Sequence, residues 1–275
     1  MYRQFFVDVL SSFLTSAKYT RHEFEEYVLP IIQAESELAT STPGTHALEV
    51  AHAIAFRSGL GSSLFAGPHA PVTHEDIKAY AQSVFTKSNI AVLGTGISQE
   101  ALSKLVEKSL GSIASGSSSS ASAASYFGGE TRVEAHGGPQ TIFIGYGASG
   151  APSAELAALA AHLSPAASVK WSKGISSFVD SIPEGTTVQS VYLPYSDASL
   201  VGFLIQGETS ADVTKAGQAA VQALKNAANL KEEDLKKAVA KAKFAAATAA
   251  DNRDGLVSTL GVKVSEFCDM SIAGC

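Results

Sequence analysis

A run of small polar residues divides this chain into two parts. Between Ser112 and Ser125, eight of 14 residues are serine, and the others are glycine, alanine and isoleucine. Such a stretch cannot bury enough apolar surface to offset the conformational entropy that it would lose on ordering. We therefore predict a linker over residues 112–127, between an N-terminal domain of residues 1–111 and a C-terminal domain of residues 128–275.

The first part is predicted to be mainly helical around a buried pair of helices. Thr20 and Glu23 have the spacing of a capping box, which starts a helix. The apolar residues that follow recur at helical spacing; they are Phe24, Tyr27, Val28, Ile31 and Leu38. Pro30 lies within this pattern and predicts a kink rather than an end. Thr42-Pro43 starts a second helix, which is expected to stop near Ser58-Gly59 and to be buried on most sides.

Three further helices and one strand complete the prediction for the first part. An amphipathic helix leads from Phe6 to Lys18, and Thr73 and Ser98 each stand at a cap position before an apolar, helically spaced pattern. The apolar run within Asn89–Gly96 lies between the two capped helices and is predicted to be a short strand.

The second part combines strands with capped helices. Strands are predicted at Thr131–Ala135 and Thr141–Tyr146, and the segments Val188–Tyr195 and Leu200–Gly207 flank a tight turn that is typical of an antiparallel hairpin. Helices are expected around Leu156–Leu163 and Ile175–Ile182, after Ser210, and from Leu230 to Ala250. Lysines of the last helix are expected to form a solvated face; they are Lys231, Lys236, Lys237, Lys241 and Lys243. Antiparallel strands with helices packed on them indicate an α+β fold.

Composition and charge exclude several classes of protein. The formal net charge of −6 argues against a nucleic-acid-binding protein, which needs a basic face. Cys268 and Cys275 are the only cysteines and lie near the C-terminus, so a disulfide framework is not expected. No apolar run approaches the ~18 residues of a transmembrane helix. The residues after Met1 match neither a signal peptide nor a transit peptide.

One glycine motif could indicate a dinucleotide site. Gly145 to Gly150 read G-x-G-x-x-G between a predicted strand and a predicted helix. Such a site also needs an acidic residue about 20 positions later to bind the ribose, and Ser168-Val169-Lys170-Trp171-Ser172 contains none. We therefore interpret the motif as a tight strand-to-helix turn.

Two histidine motifs come close to zinc sites but lack a ligand. His22-Glu23-Phe24-Glu25-Glu26 has glutamate where H-x-x-E-H needs its second histidine, and His74-Glu75-Asp76-Ile77-Lys78 has lysine where H-E-x-x-H needs one. The other histidines show no ligand spacing, and no phosphate loop or G-x-S-x-G elbow is present. The sequence therefore predicts no catalytic residue, no cofactor-binding residue and no metal ligand.

Several segments resemble one protein family in order and in spacing. They are Tyr19–Phe24 with Val28–Pro30, Ala51–Arg57, Asn89–Gly96, Tyr126–Arg132 and Tyr195–Phe203. Together they resemble the second core proteins of mitochondrial ubiquinol–cytochrome c reductase (respiratory complex III), of a fungal type, from about residue 8 to about residue 262. That family is itself similar to the pitrilysin-type metallopeptidases and to the mitochondrial processing peptidase.

The resemblance implies a non-catalytic scaffold subunit with two homologous α+β halves. Its partners would be the homologous first core subunit, cytochrome b, cytochrome c1 and other complex III subunits. It would be peripheral to the inner mitochondrial membrane on the matrix side, without a cofactor or nucleic acid. In active relatives an H-x-x-E-H helix and a later glutamate bind zinc. The stretch comparable to that later helix, Val28–Gln33, contains no carboxylate, and Glu35 follows shortly after it.

The resemblance also implies that both ends of the family are incomplete in this chain. No H-x-x-E-H helix precedes the matching segments, and the residues after Leu260 resemble nothing in the family. We therefore expect the first half to leave apolar surface uncovered, including one side of the Phe24–Leu38 stripe.

Two other functions are alternatives to the scaffold role. The substrate-binding subunit of a mitochondrial processing peptidase is similar to this chain but carries a glycine-rich loop in its second half. The comparable stretch here, Ser164–Gly174, contains a single glycine, which argues against that subunit. A dinucleotide-binding enzyme rests on the glycine motif alone.

Overall fold

The computed structural model describes residues 2–67, 72–116, 122–134, 137–165 and 179–261. These residues form helices and one antiparallel sheet, which confirms the predicted α+β class. They fall into two compact units. Unit 1 comprises Met1–Gln33, Gly67–Ala121 and Thr248–Cys275, and unit 2 comprises Ala34–Ala66 and Ser122–Ala247. The linker at residues 112–127 stays a prediction.

The described part of unit 1 is helical. Its helices are α1 (Tyr2–Thr15), α2 (Arg21–Glu23) with the start of the helix that follows it, α5 (His74–Val84), α6 (Gln99–Leu110) and residues 253–261. Helix α1 packs against α6, where the Gln4 amide and the Asp8 carboxylate both hydrogen-bond the Ser109 hydroxyl, at 3.0 and 2.6 Å. Accepting that hydrogen bond from Ser109 lowers the pKa of Asp8, with a further contribution from Gln4.

The helix that begins at Arg21 continues through Pro30, as predicted. Between α2 and α3 (Leu29–Ser41) the residues Phe24–Val28 form a π-helical segment, in which the Leu29 amide donates to the Phe24 carbonyl. Pro30 has no amide hydrogen and its ring would crowd the carbonyl four residues earlier, so a wider turn just before it accommodates the ring. The predicted interruption is therefore a π-turn.

The apolar stripe on this helix is exposed, which corrects the predicted burial of the first helix of the pair. Tyr27, Ile31 and Leu38 expose 64%, 59% and 66% of their surface. Helical spacing places these side chains on one face, but burial also requires an element that packs on that face. Tyr27, Ile31 and Leu38 therefore stay exposed in the described part of the chain.

The strand predicted at Asn89–Gly96 does not form. Lys87–Asn89 is a 3₁₀ turn, and residues 90–94 have no regular secondary structure. An apolar run becomes a strand only by pairing with another, and no strand occurs among the described residues of unit 1. Val92 and Leu93 therefore remain partly exposed.

Unit 2 contains the sheet. Its elements are the end of α3, α4 (Pro43–Phe56), β1 (Gln140–Ser149), α7 (Ala154–Leu163), β2 (Thr187–Pro194), β3 (Ala198–Gly207), α8 (Ser210–Ala227) and most of α9 (Glu232–Ala249). The strand order is β1-β3-β2, and both neighbours of β3 are antiparallel to it. The predicted hairpin is confirmed, with Pro194 opposite Ser199 and the Tyr195 amide donating to the Ala198 carbonyl at 2.8 Å.

Helices cover both faces of this sheet. On one face Ile144, Phe203 and Ile205 pack with α7 and α8. On the other face Phe143 and Leu200 pack with Ala55 and Phe56 of α4. The alternation along β1 and β3 places successive side chains in different cores, which explains why β3 is buried along nearly its whole length.

Helix starts were the most accurate of the sequence predictions. Thr73 forms a full capping box with Asp76, and Ser98 accepts a hydrogen bond from the Ala101 amide. The cap of α8 is Thr209, one residue before the predicted Ser210. Thr20 is the N-cap of α2, but its side chain accepts no hydrogen bond from a backbone amide. Its hydroxyl donates to the Glu23 carboxylate instead.

Two predicted elements of the second part differ in outcome. No strand forms at residues 131–134, because these residues pair with no other strand in the described part of the chain. The first half of the helix predicted around Ile175–Ile182 lies outside the described residues, and Val179–Ser181 form a 3₁₀ turn.

Candidate functional site

The near-matches to zinc motifs lie on exposed helix starts. His22 is in the first turn after Thr20, with its Nδ1 3.3 Å from the Thr20 hydroxyl, and Glu26 is exposed in the π segment. His74 is the first residue of α5, whose Asp76 is engaged in the capping box with Thr73. Among the residues that the structure describes, no three His, Cys, Asp or Glu side chains lie close enough together to hold a metal ion.

The glycine motif belongs to a strand and not to a phosphate-binding turn. Gly145 and Gly147 lie within β1 opposite Gly202 and Leu200, and only Gly150 has a positive φ, of 104°. The interpretation as a tight turn was therefore wrong for the first two glycines. Gly147 is small because the ring of Tyr126 lies over it, where a Cβ atom would come within 2.2 Å of the ring.

A Gly147→Ala change should destabilise unit 2 by about 1–2 kcal/mol, because the added methyl group must displace the Tyr126 ring. The same change in a Tyr126→Ala background should cost less, since the ring is then absent. A double-mutant cycle from urea denaturation measures the difference. Equal costs in both backgrounds, or NADH binding that is lost with Gly147→Ala, would contradict this role.

An aromatic cluster connects α4 to the turn between β2 and β3. His52 and Tyr195 are hydrogen-bonded at 2.6 Å between Nε2 and the hydroxyl, and both rings contact Phe56. The His52 Nδ1 lies 2.7 Å from the Leu48 carbonyl oxygen, which can only accept. Neutral His52 therefore carries its proton on Nδ1 and accepts from the Tyr195 hydroxyl at Nε2. Burial raises the pKa of Tyr195, which keeps that hydroxyl protonated.

Asp197 fixes the same turn to two other segments. Its carboxylate accepts a hydrogen bond from the Ala124 amide at 2.6 Å, and its carbonyl accepts one from the Gly150 amide at 2.7 Å. Sequence reasoning missed both this role and that of His52, because their partners are remote in the chain. The one available signal was the Ser196-Asp197 turn, since aspartate in a turn often accepts backbone hydrogen bonds.

A groove of about 980 Å³ runs along β1 in unit 2. Its lining comes from Pro43 to Ala55 on α4, Tyr126 to Val133, Gly137 to Gly145, Leu200 of β3, and Ser210 to Thr214 on α8. Consecutive strand residues point to opposite faces of a sheet, so a groove lined by six consecutive positions of β1 follows its edge. Among the described residues, β1 pairs with β3 alone.

Helices α7 and α9 approach each other around a half-buried pair of basic side chains. Lys241 donates to the Ser164 carbonyl at 3.1 Å, so it departs from the solvated face predicted for the lysines of this helix. Burial lowers the pKa of Lys241. The pKa of His162 is lowered mainly by burial and also by Lys241, while Asp234 opposes the shift.

The lowered pKa of His162 predicts a pH-dependent stability. The unfolded chain takes up a proton near the ordinary histidine pKa of about 6.5, whereas folded His162 stays neutral to lower pH. The contribution of His162 to the free energy of unfolding is thus fully present above pH ~6.5. It is lost as the pH falls through the pKa of the folded state. Urea denaturation between pH 7.5 and 5.5 should show a weaker decrease for His162→Gln than for the unchanged chain, and His22→Gln is the control. A decrease of the same size in His162→Gln would contradict the assignment.

Comparison with known proteins identifies the family. Residues 71–242 match the family described as the peptidase M16 inactive domain, which is well over half of the chain. The chain belongs to this family. The match to the peptidase M16 inactive domain includes α5, α6, the three strands, α7, α8 and the first part of α9.

Several curated relatives of this M16 chain share one name. The chain is 42% identical to "Cytochrome b-c1 complex subunit 2, mitochondrial" of Cryptococcus neoformans var. grubii over 93% of its own length and 61% of the relative. Proteins of the same name from Yarrowia lipolytica and Neurospora crassa are 36% and 35% identical, over 94% and 87% of the chain and 63% and 55% of the relatives. The chain thus spans about three fifths of the length of these proteins. No helix in its described residues has the length and hydropathy to cross a bilayer.

Proposed function

We propose that this chain is a non-catalytic core subunit of the mitochondrial ubiquinol–cytochrome c reductase complex. The observation that carries the proposal is the 42% identity to subunit 2 of that complex, in a chain whose domain family is described as inactive. The resemblance of segments on both sides of the serine-rich stretch supports it, and so does Glu26, which stands where H-x-x-E-H needs its second histidine.

The subunit would act through surfaces rather than through a reactive centre. We propose that it lies on the matrix side of the inner membrane as a peripheral protein. It would contact the homologous first core subunit, cytochrome b and cytochrome c1. The exposed apolar faces of α1 and of the Arg21–Ser41 helix support an assembly role, because large exposed apolar side chains in contiguous positions are typical of interaction surfaces. The linker at residues 112–127 would join its two homologous halves.

Affinity purification tests this role. A tagged copy of the protein is expressed in its own host and purified from mild-detergent extracts of mitochondrial membranes. Cytochrome b and cytochrome c1 should co-purify and be visible by their haem absorbance. Alkaline carbonate should release the protein from the membranes, and protease should reach it only after the inner membrane is opened. Recovery without cytochrome b, together with cleavage of a mitochondrial presequence peptide, would instead favour the processing-peptidase alternative.

The purified chain is expected to contain no stoichiometric zinc and to cleave no peptide. The physical reason is that a single histidine, such as His22 beside Glu26, does not supply the two nitrogen ligands of the H-x-x-E-H site. Elemental analysis measures the zinc content, with an active pitrilysin-type peptidase as the positive control. About one zinc per chain, removable by chelator together with peptidase activity, would refute the non-catalytic assignment.

A further inference from the structure

A short strap, residues 124–129, lies across the ends of three elements of unit 2. Three of its backbone amides donate hydrogen bonds: Ala124 to the Asp197 carboxylate at 2.6 Å, Tyr126 to the Ser149 hydroxyl at 3.0 Å, and Phe127 to the Ala55 carbonyl at 2.8 Å. These bonds are isolated rather than part of a ladder, and Phe127 exposes 51% of its surface. A segment attached in this way opens at a lower free energy than the core.

The strap ends in a pair of glycines that can act as a hinge. Gly128 and Gly129 have φ values of 72° and 153°. Other residues are strained at such values, whereas glycine changes between positive and negative φ at little cost. The opposite end of the strap adjoins the serine-rich stretch for which we predict a linker. The strap is therefore bounded on each side by a sequence that permits movement.

A strained turn at the end of α4 lies next to the strap. Arg57 has φ 60° and ψ −68°, and the Ser58 amide donates to the Phe56 carbonyl at 2.7 Å across it. This is a γ-turn with a positive φ at its centre, which is the rare and strained form. The strain is greater for arginine than for glycine because of its Cβ atom. Contacts of the surrounding structure must therefore hold Arg57 in this conformation.

The Arg57 side chain attaches the end of α4 to the strap. Its guanidinium lies 4.3 Å from the centre of the Phe127 ring, which is within the range for attraction between a cation and the face of an aromatic ring. A positive charge is also favourable at the C-terminal end of a helix. The Phe127 amide donates to Ala55, two residues before Arg57. Both the backbone and the side chain of Phe127 are thus attached to the end of α4.

We propose that the strap opens and closes as a unit, and that Arg57 is the latch that holds it closed. In the closed state the contact with Phe127 offsets the strain of the γ-turn. In the open state the contact is lost and Arg57 returns to negative φ, which releases the strain. The two effects oppose each other, so the strap opens without unfolding β3. Because the strap overlaps the end of the predicted linker, its opening would lengthen the unattached part of that stretch. This inference does not depend on the role in the reductase complex.

Native-state hydrogen exchange of the full chain, measured by mass spectrometry, tests whether the strap opens alone. Peptides that cover the strap should be protected about tenfold less, or weaker still, than those of β3. Their exchange should also depend little on urea below the unfolding transition, because opening exposes little surface. Protection equal to that of β3 with the same urea dependence would overturn the proposal, since the strap would then open only when unit 2 unfolds. Complete lack of protection would also overturn it, since the strap would not be attached.

Variants of Arg57 test the latch. Arg57→Ala removes the guanidinium and keeps the strain, so exchange of the strap should accelerate by about twofold to fivefold. Arg57→Gly removes both, so exchange should be about fivefold slower than in Arg57→Ala. Phe127→Leu removes the ring and should accelerate exchange as Arg57→Ala does. Arg132→Ala is the control, because it removes an exposed arginine of the same unit that pairs with Glu130.

The exchange of β3 should be unchanged in all four variants, which shows that unit 2 is folded. Equal exchange of the strap in Arg57→Ala and Arg57→Gly would overturn the proposal, because the strain would then be independent of the strap. Acceleration in Arg132→Ala as large as in Arg57→Ala would overturn it as well, because loss of charge alone would explain the effect.

Discussion

Replacement of Phe56 by alanine should lower the free energy of unfolding of unit 2 by about 3–5 kcal/mol. Phe56 exposes 1% of its surface at the end of α4 and packs with Ala55, Ala198 and Leu200. Its ring also contacts three neighbouring rings, those of His52, Tyr126 and Tyr195, at 6.3, 6.4 and 6.4 Å between centroids. Truncation leaves a cavity between the helix and the sheet that the backbone cannot collapse to fill.

Urea denaturation, monitored by hydrogen exchange in β3, measures this effect in unit 2. The matched control is Phe244→Ala, because Phe244 lies on α9 with about half of its surface exposed. That variant should change the free energy of unfolding by about 0.5 kcal/mol or less. A cost for Phe56→Ala no larger than that of the control would show that α4 does not contribute to the core of unit 2.

A Gly202→Ala change should destabilise unit 2 by about 3 kcal/mol, at the upper end for overpacked cores. Gly202 lies in the central strand opposite Gly145. An added Cβ atom would come within 2.4 Å of the Ile144 carbonyl oxygen and 2.6 Å of the Gly145 Cα. Both are backbone atoms of β1, so the clash is relieved only by separating the two strands.

Gly44→Ala is a control for which the expected change in the free energy of unfolding has the opposite sign. Gly44 is a buried glycine of α4, and a Cβ atom there would make ordinary contacts of 3.4 Å with Leu204 and Gln206. Alanine is the better helix former by about 0.5–1 kcal/mol, so this variant should be neutral or stabilising. Denaturation curves for both variants test the pair. A Gly202→Ala protein as stable as Gly44→Ala would contradict the close approach of β1 and β3.

Local signals predicted the features that depend on neighbouring residues. The hairpin was predicted because its strands flank a turn of three residues, and β2 and β3 need no other element to meet. The caps at Thr73 and Ser98 were predicted because each cap bond spans three residues. The prediction of no metal ligand, which rests on Glu26 in place of a histidine, stays a prediction that elemental analysis tests.

Features that depend on distant partners could not be predicted in this way. The run Ile90–Leu93 has strand composition but no strand beside it, and helical spacing could not indicate that the Tyr27 face is uncovered. The His52–Tyr195 bond joins residues 143 positions apart. The role of Gly147 was predicted wrongly because a glycine is needed there to leave room for the Tyr126 ring. Tyr126 lies outside the motif of consecutive residues on which the prediction was based.

The strand order β1-β3-β2 has a consequence for how the sheet assembles. β2 and β3 are adjacent in the chain, so their hairpin can form within about 1–10 μs. β1 must instead close the loop from Ser149 to Ala198 before its pairing with β3 compensates for the lost chain entropy. The central strand thus acquires its neighbours in two steps, the local one first. Lengthening the loop between α7 and β2 would accordingly slow the docking of β1 while leaving the formation of the hairpin untouched.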